Sequence, residues 1–404
     1  MTDSSTAPAP TSMPPMTSAP VHVRRDAFDP VPELTELRER SPVSKIRTTW
    51  GSEAWLVTRY DLIREALGDA TRFANNSRHA VDLPPFARQN ADGMLLSYDP
   101  PEHTSLRRLL TPEFTVRRIR RLQPRIEAIV EEHLDAMEQA GPPVDLVRAF
   151  ALPIPSLVIC ELLGVPYEDR DDFQRLSNLR LDLSLALEER VAATQESLAY
   201  MAKLVERQRA DPGEDMIGML IREHADKITN AELVGVADLL LLAGHETTSN
   251  MLGLGTLKLL QHPDQRALAE SDEHIEAAVE ELLRYMSITH TIAPRWATGD
   301  TELGGERIAK GDLVIFSIPA GNRDPAIGEN LEALDIGRKT APHLAFGHGV
   351  HHCLGAPLAR MEMRVAFPAL LRRFPNLRPA IPVDEVEFRA FSVVYGLSSL
   401  PVTW

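Results

Sequence analysis

One stretch of the chain constrains the fold more than any other, the segment from Thr229 to the His262-Pro263 pair. Thr229 and Glu232 have the spacing of a capping box, which predicts the start of a helix. A helix that continues to His262 has a length on the order of 45 Å, at about 1.5 Å per residue. Such a helix crosses a protein of this size, so we expect the rest of the chain to pack around it.

One face of this helix carries Val236, Leu240, Ala243 and Thr247, which follow one another by four, three and four residues. Residues at this spacing lie on the same side of a helix. Outside the helix, strand patterns are confined to Ala54–Thr58, to Thr301–Ile318 with its Gly304-Gly305 turn, and to the tail ending GLSSLPVTW. Strands from both ends and a helical middle predict one integrated body that is mainly α with a small β region.

The bulk composition restricts the class of protein. The 404 residues are 44% hydrophobic and carry a net charge of −15, which argues against general binding to nucleic acid or to an anionic membrane. Two cysteines, Cys160 and Cys353, form no disulfide framework, so we expect a reducing, cytoplasmic location. No apolar stretch is long enough for a transmembrane helix. Residues 1–25 resemble no secretion signal, and we expect a disordered leader before a single domain at 26–404.

The chemistry of the chain centres on Cys353, in the segment Phe346–Gly355, which reads FGHGVHHCLG. Its glycines allow the backbone to fold tightly around the cysteine, and Pro357 marks the start of a helix beyond it. A thiol at the positive end of a helix favours the thiolate, a ligand that suits a haem iron in oxygen activation. Two alternatives are a buried structural cysteine and a zinc site. The zinc site would use three histidines with the cysteine, namely His348, His351 and His352.

The same segment resembles the cysteine-loop signature of the cytochromes P450, and further motifs of that family occur in the expected order. They are DPPEHTSLRR at Asp99–Arg108, AGHETT at Ala243–Thr248, Glu281-x-x-Arg284, and NRDP at Asn322–Pro325. The similarity covers nearly the whole chain after about Phe28. It implies the triangular P450 fold, with haem b held between the long helix and the cysteine loop, and Cys353 as the iron ligand.

The resemblance also implies roles for residues of the long helix and of the cysteine loop. Ala243 and Gly244 leave room for the cofactor, and Glu246 with Thr247 forms the acid and alcohol pair that delivers protons to dioxygen. Thr247 could instead bond to its own helical turn, and Glu246 could be an ordinary exposed charge. Residues expected to contact the haem from the cysteine loop are Phe346, Gly347 and Gly355.

Four cations align with the family's partners for the two haem propionates. His103 and Arg107 lie four apart on one helix face, Arg295 begins a strand, and His351 lies two residues before the cysteine. Arginine and histidine bind carboxylates well, although each residue alone could be a surface cation.

Glu281 and Arg284 form a structural pair in the resembled family, where they brace the cysteine loop. Relatives often add an arginine from the segment before that loop. The corresponding stretch here, residues 331–335, contains no arginine, so this third arm stays unassigned, with Arg323 as a candidate substitute. Glu280, four residues before Arg284, could be confused with Glu281 as its partner.

The expected reaction is hydroxylation or epoxidation of a hydrophobic secondary metabolite such as a macrolide, terpenoid or steroid, as in antibiotic biosynthesis. Electrons come from NAD(P)H through a reductase and a ferredoxin. The ferredoxin should dock on an arginine-rich segment formed by Arg117, Arg118, Arg120 and Arg121. Residues expected to contact the substrate are Leu240, Ala243, Ile292, Phe391 and Val393. The alternatives are a haem-thiolate peroxygenase, a non-catalytic haem-based sensor, and a zinc hydrolase.

Overall fold

Thirteen α-helices and twelve short strands are present among residues 20–48, 52–80, 92–182, 184–339, 342–389 and 392–404, which are the residues that the computed structural model describes. The helices are α1 (Pro32–Arg40), α2 (Tyr60–Gly68), α3 (Glu102–Leu110), α4 (Val116–Ala140), α5 (Pro153–Leu163), α6 (Arg170–Leu181), α7 (Leu187–Ala210), α8 (Met216–His224), α9 (Asn230–Leu260), α10 (Pro263–Ala269), α11 (Ile275–Met286), α12 (Ile318–Gly321) and α13 (Ala356–Arg373). The strands are β1 (Arg25–Asp26), β2 (Asp29–Pro30), β3 (Val43–Arg47), β4 (Glu53–Val57), β5 (Phe73–Ala74), β6 (Val144–Asp145), β7 (Arg295–Ala297), β8 (Thr301–Leu303), β9 (Glu306–Ile308), β10 (Leu313–Phe316), β11 (Arg378–Pro379) and β12 (Pro401–Thr403).

Helix α9 is the long helix expected from the sequence. Thr229 caps its first turn, and the side chains of Thr229 and Glu232 bond each other's backbone N–H groups. The helix ends at Leu260, just before His262-Pro263, so both predicted ends are confirmed. Helices α5, α7, α11 and α13 pack against it, most of its residues are buried, and its apolar side chains contribute to the largest hydrophobic core. The structure is 57% helical, and this confirms the mainly α class with a small β region.

The strands join segments that are far apart in the sequence. A five-stranded sheet has the order β3-β4-β10-β7-β5, in which only β4 and β10 run parallel. A three-stranded antiparallel sheet has the order β11-β12-β6, so the C-terminal strand pairs with residues near position 144, as expected of a tail with a distant partner. Strands β8 and β9 form the hairpin predicted at Gly304-Gly305.

The N-terminal boundary of the folded body lies earlier than the sequence suggested. We expected residues 1–25 to be a disordered leader, but Val21–Val23 form a 3-10 helix and Arg25 lies in β1. The Arg25 guanidinium donates to the backbone oxygen of Ser287 at 2.6 Å, which ties this segment to the end of α11. The boundary at residue 25 is therefore wrong for residues 20–25, whereas residues 1–19 lie outside the described part of the chain.

Candidate active site

The cysteine loop forms a tight turn in front of α13. The Cys353 N–H donates to the Phe346 oxygen at 2.9 Å, and the Gly347 N–H donates to the Leu344 oxygen at 2.8 Å. Gly349 has a φ of +73°, and a Cβ there would come within 2.3 Å of the Leu67 oxygen, so the loop can approach the end of α2 only with glycine at this position. Cys353 thus lies two residues before Gly355, the N-cap of α13.

The Cys353 thiol opens onto a cavity between the cysteine loop and α9. Its side chain is accessible from this cavity, although it lies deep in the protein. Burial raises the pKa of the thiol, whereas the N–H groups of Gly355 and Ala356 and the Arg107 guanidinium act in the opposite direction. Phe346, Gly347 and Gly355 line the cavity beside Cys353, and Ala243 and Thr247 line it from α9. The structure therefore brings the two predicted halves of the site together.

Two arginines and two histidines lie at the edge of this cavity. The rings of His103 and His351 lie with centroids 4.1 Å apart and are tilted by 48°. Within the described ranges, both nitrogens of His103 are buried without a hydrogen-bond partner. Arg295 is 3% exposed and donates only to the backbone oxygens of Ala293 and Pro294 among the described residues. Arg107 donates to the His352 oxygen at 2.6 Å, which holds α3 against the cysteine loop.

The electrostatics of this cluster favour an anion. Burial, with Arg295, His103 and Arg107 acting in the same direction, lowers the pKa of His351 to about 2, so its ring is neutral at pH 7. Burial lowers the pKa of Arg295 to about 10. Buried cations that repel one another are stabilised by a carboxylate placed among them. A thiol on one wall, a cationic edge and apolar side walls therefore fit a haem with its two propionates.

The zinc alternative fails on geometry. Among the described residues, no group of three or more His, Cys, Asp or Glu side chains converges as a metal site. His351 faces His103, whereas the ring of His352 lies 6.3 Å from that of Phe346. Neighbouring histidines of the loop therefore point in different directions.

The predicted acid and alcohol occupy different environments on α9. The Thr247 hydroxyl donates to the Ala243 oxygen at 2.8 Å. Its proton therefore bonds within its own helical turn, which is the alternative that the sequence left open. Its oxygen still lines the cavity. Glu246 is 1% exposed and pairs with Arg389 at 3.1 Å, so the alternative of an ordinary exposed charge is wrong. Burial raises the pKa of Glu246, but His245 and Arg389 lower it to about 2.

Gly244 has a second structural role besides the expected one. Like Ala243, it lines the cavity. A Cβ at Gly244 would also come within 2.9 Å of the Ile159 side chain, so the small residue permits α9 to pack closely against α5.

The predicted substrate contacts divide into three groups. Leu240, Ala243 and Ile292 line the cavity. Val393 does not line it, because its side chain is 41% exposed and its N–H donates to the Leu181 oxygen at 3.3 Å. Phe391 lies outside the described residues. Further lining side chains that the sequence did not single out as site residues are mostly apolar: Phe114, Leu239, Ile288 and Thr289.

The Glu281 and Arg284 pair is buried and bidentate, with both bonds at 2.8 Å. Arg284 also donates to the backbone oxygens of Leu331 and Ala333, which fixes the segment before the cysteine loop. The third arm is Arg338, whose Nε lies 3.4 Å from Glu281 Oε1. Arg323 does not fill this role, because it pairs instead with Asp29 and Glu332.

Glu280 forms a second brace that sequence reasoning missed. Its carboxylate accepts from Arg360 Nε and Nη2 at 2.5 and 2.8 Å, and it lies 3.0 Å from His343 Nε2. Arg360 stacks over the Phe346 ring, with its guanidinium carbon 4.6 Å from the centroid. Glu280 thus connects α11 to both α13 and the cysteine loop, and it is not the partner of Arg284.

Glu362 is a buried acid of the cavity wall that sequence reasoning also missed. It is 1% exposed, its Oε2 has no hydrogen-bond partner, and burial raises its pKa to about 8. The signal was present in the sequence, because Glu362 lies four residues after Leu358 on the apolar face of α13. A carboxyl on such a face is buried when the helix packs.

The arginine-rich segment lies at the start of α4. Arg117, Arg120 and Arg121 are exposed, whereas Arg118 pairs with Glu113 at 2.9 Å. Arg107 connects the preceding helix, α3, to the cysteine loop. Val116, whose side chain is 56% exposed, adds an apolar residue to this surface. In the described part of the chain, no helix combines the length and apolarity that crossing a membrane requires.

Comparison with known proteins places this site in a family. Residues 32–195 and 174–380 match the family described as Cytochrome P450. Cytochrome P450 FAS1 of Rhodococcoides fascians is 44% identical over 393 residues, which cover 95% of this chain and 98% of that protein. Mycinamicin IV hydroxylase/epoxidase of Micromonospora griseorubida is 42% identical over 374 residues, which cover 91% of this chain and 94% of that protein.

A solved structure agrees with these relatives. P450 StaH from glycopeptide antibiotic A47934 biosynthesis superposes with a TM-score of 0.86 at 45% identity, over 96% of this chain and 100% of that chain. The P450 fold predicted from the sequence motifs is therefore confirmed. From its fold, its cysteine loop and these relatives, the chain belongs to the cytochrome P450 family and is a P450 monooxygenase of the bacterial, actinomycete type.

Proposed function

We propose that this monooxygenase hydroxylates or epoxidises a hydrophobic secondary metabolite such as a macrolide, terpenoid or steroid, with electrons that reach it from NAD(P)H through a reductase and a ferredoxin. The observation that carries the proposal is the cavity itself, which has Cys353 on one wall, Thr247 on the other and mostly apolar side chains between them. Such a cavity favours an apolar ligand held close to the haem. Mycinamicin IV hydroxylase/epoxidase, at 42% identity, acts on a metabolite of this kind by its name.

The geometry of the cavity supports an assignment of the residues that would hold the cofactor. Cys353 would ligate the iron, and His103, Arg107, Arg295 and His351 would bind the propionates. When bound, haem b supplies the activation of O2 that transfers one oxygen atom to the substrate. Phe346, Gly347 and Gly355 would pack on the cysteine side of the ring, and Ala243 on the other.

The remaining residues manage protons and substrate. Thr247 would bind and orient dioxygen through its hydroxyl, and Glu246 would supply protons through the same turn of α9. Leu240, Ala243 and Ile292 would position the substrate and exclude water from the cavity. Glu281, Arg284 and Arg338 would hold the cysteine loop in place without touching the substrate.

The spectrum of the dithionite-reduced protein with carbon monoxide tests the cofactor assignment. We expect a strongly red-shifted Soret band, which marks a thiolate ligand, and its loss in the Cys353→Ser variant. A histidine-type carbonyl spectrum in freshly purified protein would contradict the assignment of Cys353. Peroxide-driven turnover at an equal rate without ferredoxin would indicate a peroxygenase.

Spectral titration with a panel of macrolides, terpenoids and steroids tests the substrate class. We expect members of one of these classes to shift the Soret band of the oxidised protein, and to be oxidised when ferredoxin, reductase and NADPH are added. The absence of any shift across the panel, with a normal carbonyl spectrum, would contradict the substrate class alone.

The ferredoxin assignment rests on the three exposed arginines at the start of α4. We expect the triple variant Arg117→Gln, Arg120→Gln, Arg121→Gln to slow the first electron transfer by about tenfold at low ionic strength, because steering by opposite charges is lost. The difference should disappear at high salt, where the charges are screened. Arg307→Gln, which removes an exposed arginine of β9, is the matched control. An equal salt dependence in the triple variant and the wild type would place the docking surface elsewhere.

A further inference from the structure

One wall of the haem cavity is formed by the wall loop, residues 287–294, which joins α11 to β7. Ile288, Thr289 and Ile292 of this loop line the cavity. His290 does not line it, although it lies between them and is only 2% exposed. The wall loop therefore has one face toward the cavity and another face packed against the rest of the protein.

The packed face of the wall loop contacts the N-terminal hairpin, which consists of β1 and β2. Arg25 Nη2 donates to the Ser287 oxygen at 2.6 Å, and Arg25 Nε donates to His290 Nδ1 at 3.3 Å. The guanidinium carbon of Arg25 also lies 5.1 Å from the centroid of the Tyr395 ring. One arginine thus holds the first residue of the wall loop and a side chain three residues later.

The N-terminal hairpin is attached to the protein by contacts that do not involve the wall loop. The Asp29 carboxylate accepts from Arg323 Nη2 at 2.7 Å and from the Tyr285 hydroxyl at 2.9 Å. The Tyr395 hydroxyl donates to the Ala27 oxygen at 2.5 Å. Arg25 therefore extends from a fixed support, so its side chain can determine where the wall loop lies.

The contacts of Arg25 join a buried charge to neutral acceptors. Burial lowers the pKa of Arg25 to about 10, so the guanidinium is charged at pH 7. Burial, with Arg25 and His22 acting in the same direction, lowers the pKa of His290 well below its ordinary value. The neutral ring can accept through Nδ1, and a charged donor strengthens both bonds. Without Arg25, two buried acceptors of the wall loop would lose this donor, which favours movement of the loop toward water.

We propose that Arg25 and His290 are positioning residues for substrate selection, which hold the wall loop in the conformation that receives a bulky apolar substrate. The inference rests on the proposed function, in which Ile292 positions the substrate. A wall that is already ordered spares a bulky ligand the cost of ordering it on binding, whereas a ligand too small to reach the wall gains nothing. The N-terminal hairpin thereby contributes to the selection of substrates, although none of its residues lines the cavity.

Optical titration of the haem-loaded protein with two azoles tests the proposal without turnover. Econazole is large and apolar and extends to the cavity walls, whereas imidazole binds the iron and is too small to reach them. We expect Arg25→Ala to raise the Kd of econazole by about tenfold and to leave the Kd of imidazole unchanged. His290→Ala should weaken econazole binding in the same way. His290→Asn, whose amide oxygen can replace Nδ1 as the acceptor, should restore the wild-type Kd.

Two arginines outside this contact provide matched controls. Arg24→Ala removes the neighbouring arginine, which pairs with Glu33 at 3.0 Å, and should leave both Kd values unchanged. Arg38→Ala removes another buried arginine, which donates to the Ala320 oxygen at 2.9 Å. We expect Arg38→Ala to lower the thermal stability but not the preference for econazole over imidazole. An equal loss of that preference in Arg38→Ala and Arg25→Ala would overturn the proposal, because general destabilisation would then explain both.

The double variant Arg25→Ala/His290→Ala tests whether the two residues act through one contact. We expect its econazole Kd to match that of Arg25→Ala, since both variants remove the same bond. Fold-changes that multiply would show that the residues act separately and would overturn the proposal. His290→Ala keeps the bond between Arg25 and Ser287, so it carries the test if Arg25→Ala yields no haem-loaded protein.

The same titrations separate this inference from the function on which it rests. If the wild type prefers econazole and both single alanine variants keep that preference, the inference about the hairpin fails alone. If the wild type binds econazole no more tightly than imidazole, the apolar cavity of the proposed function is wrong and the inference fails with it.

Discussion

The role of a single side chain in this protein depends on which of its polar atoms can still form a hydrogen bond with a ligand. Thr247 illustrates this, because its proton is used within the helix while its oxygen still lines the cavity. The hydroxyl can accept a hydrogen bond there without breaking the bond to Ala243. A threonine in this arrangement is already oriented toward a ligand.

Replacing Thr247 tests this orientation. We expect Thr247→Ala to lower the product formed per NAD(P)H consumed by about tenfold or more and to release peroxide, because proton delivery loses its alcohol. The measurement is the ratio of NADPH, peroxide and product with a substrate found by spectral titration. Thr194→Ala is the matched control, because Thr194 makes the same bond to the oxygen of Arg190 on α7. Unchanged coupling in Thr247→Ala would remove this residue from proton delivery.

The sequence predicted the residues of contiguous motifs and missed most of their partners. Cys353, His103 and Thr247 were identified because each lies in a motif with a characteristic spacing. Arg389 pairs with Glu246 across 143 residues, and Arg360 pairs with Glu280 across 80 residues. Only the packing of helices and loops selects such partners among many arginines. Glu362 was also missed, although its place on the apolar face of α13 was visible in the sequence.

At the scale of elements, α11 holds the cysteine loop through two adjacent carboxylates that act in different directions. Glu281 binds Arg284 and Arg338, which fix the segment before the loop, while Glu280 binds Arg360 on α13. The position of the cysteine loop therefore depends on both Glu280 and Glu281.

Removing Arg338 tests the third arm. We expect Arg338→Ala to lower the free energy of unfolding by about 1 to 3 kcal/mol, because Glu281 loses one cation and several backbone oxygens lose a donor. Thermal unfolding and the haem content after purification are the measurements. Arg307→Ala, on an exposed strand, should change neither quantity. Full stability and full haem content in Arg338→Ala would contradict the brace.

The Glu280 brace should be sensitive to acid. Although burial raises the pKa of Glu280, bonds from Arg360 and His343 lower it to about 2, below the ordinary value of 4.5. The pair therefore stabilises the fold above pH 4.5, and this contribution is lost as the pH falls toward 2. We expect Glu280→Gln to be less stable than the wild type at pH 7 by on the order of 2 kcal/mol.

Urea unfolding between pH 3 and 7 measures this difference, which should narrow as the pH falls. Glu276→Gln is the control, because Glu276 lies on α11 like Glu280 and pairs with Arg364 of α13, but is 76% exposed. A constant difference between Glu280→Gln and the wild type across this range would show that the carboxylate charge is not the cause.

Element prediction succeeded where the signal is local. The capping box located the start of α9, and Gly304-Gly305 located the hairpin of β8 and β9. Strands of two residues, such as β5, β6 and β11, carry no such signal. They exist because a distant strand supplies their hydrogen bonds.

At the scale of the whole molecule, three helices meet at one buried charge. Asp238 of α9 is fully buried and accepts two bonds of 2.7 Å from Arg180 of α6 and one of 2.5 Å from Ser197 of α7. The sequence showed Asp238 as a lone charge in an apolar stretch, but it did not indicate the partner. This cluster joins α6 and α7 to the central helix.

Replacing Arg180 alone should lower the free energy of unfolding more than replacing both Arg180 and Asp238. We expect Arg180→Leu to destabilise the protein by about 3 to 5 kcal/mol, because Asp238 is left buried without its cation. Arg180→Leu/Asp238→Leu should recover most of that loss. Urea unfolding of the single and double variants measures both effects. A double variant as unstable as the single one would show that the packing of these side chains, and not their charge, determines the stability of this cluster.

The pairing of early and late segments has a consequence for synthesis on the ribosome. Helix α4 packs against α13, and β6 pairs with β12, so both early elements lack their partners for about 200 residues of translation. At about 5 to 20 residues per second, this delay lasts on the order of 10 to 40 s. During that time the apolar face of α4 is open to other chains, so we expect the nascent protein to need protection from aggregation until α13 has been synthesised.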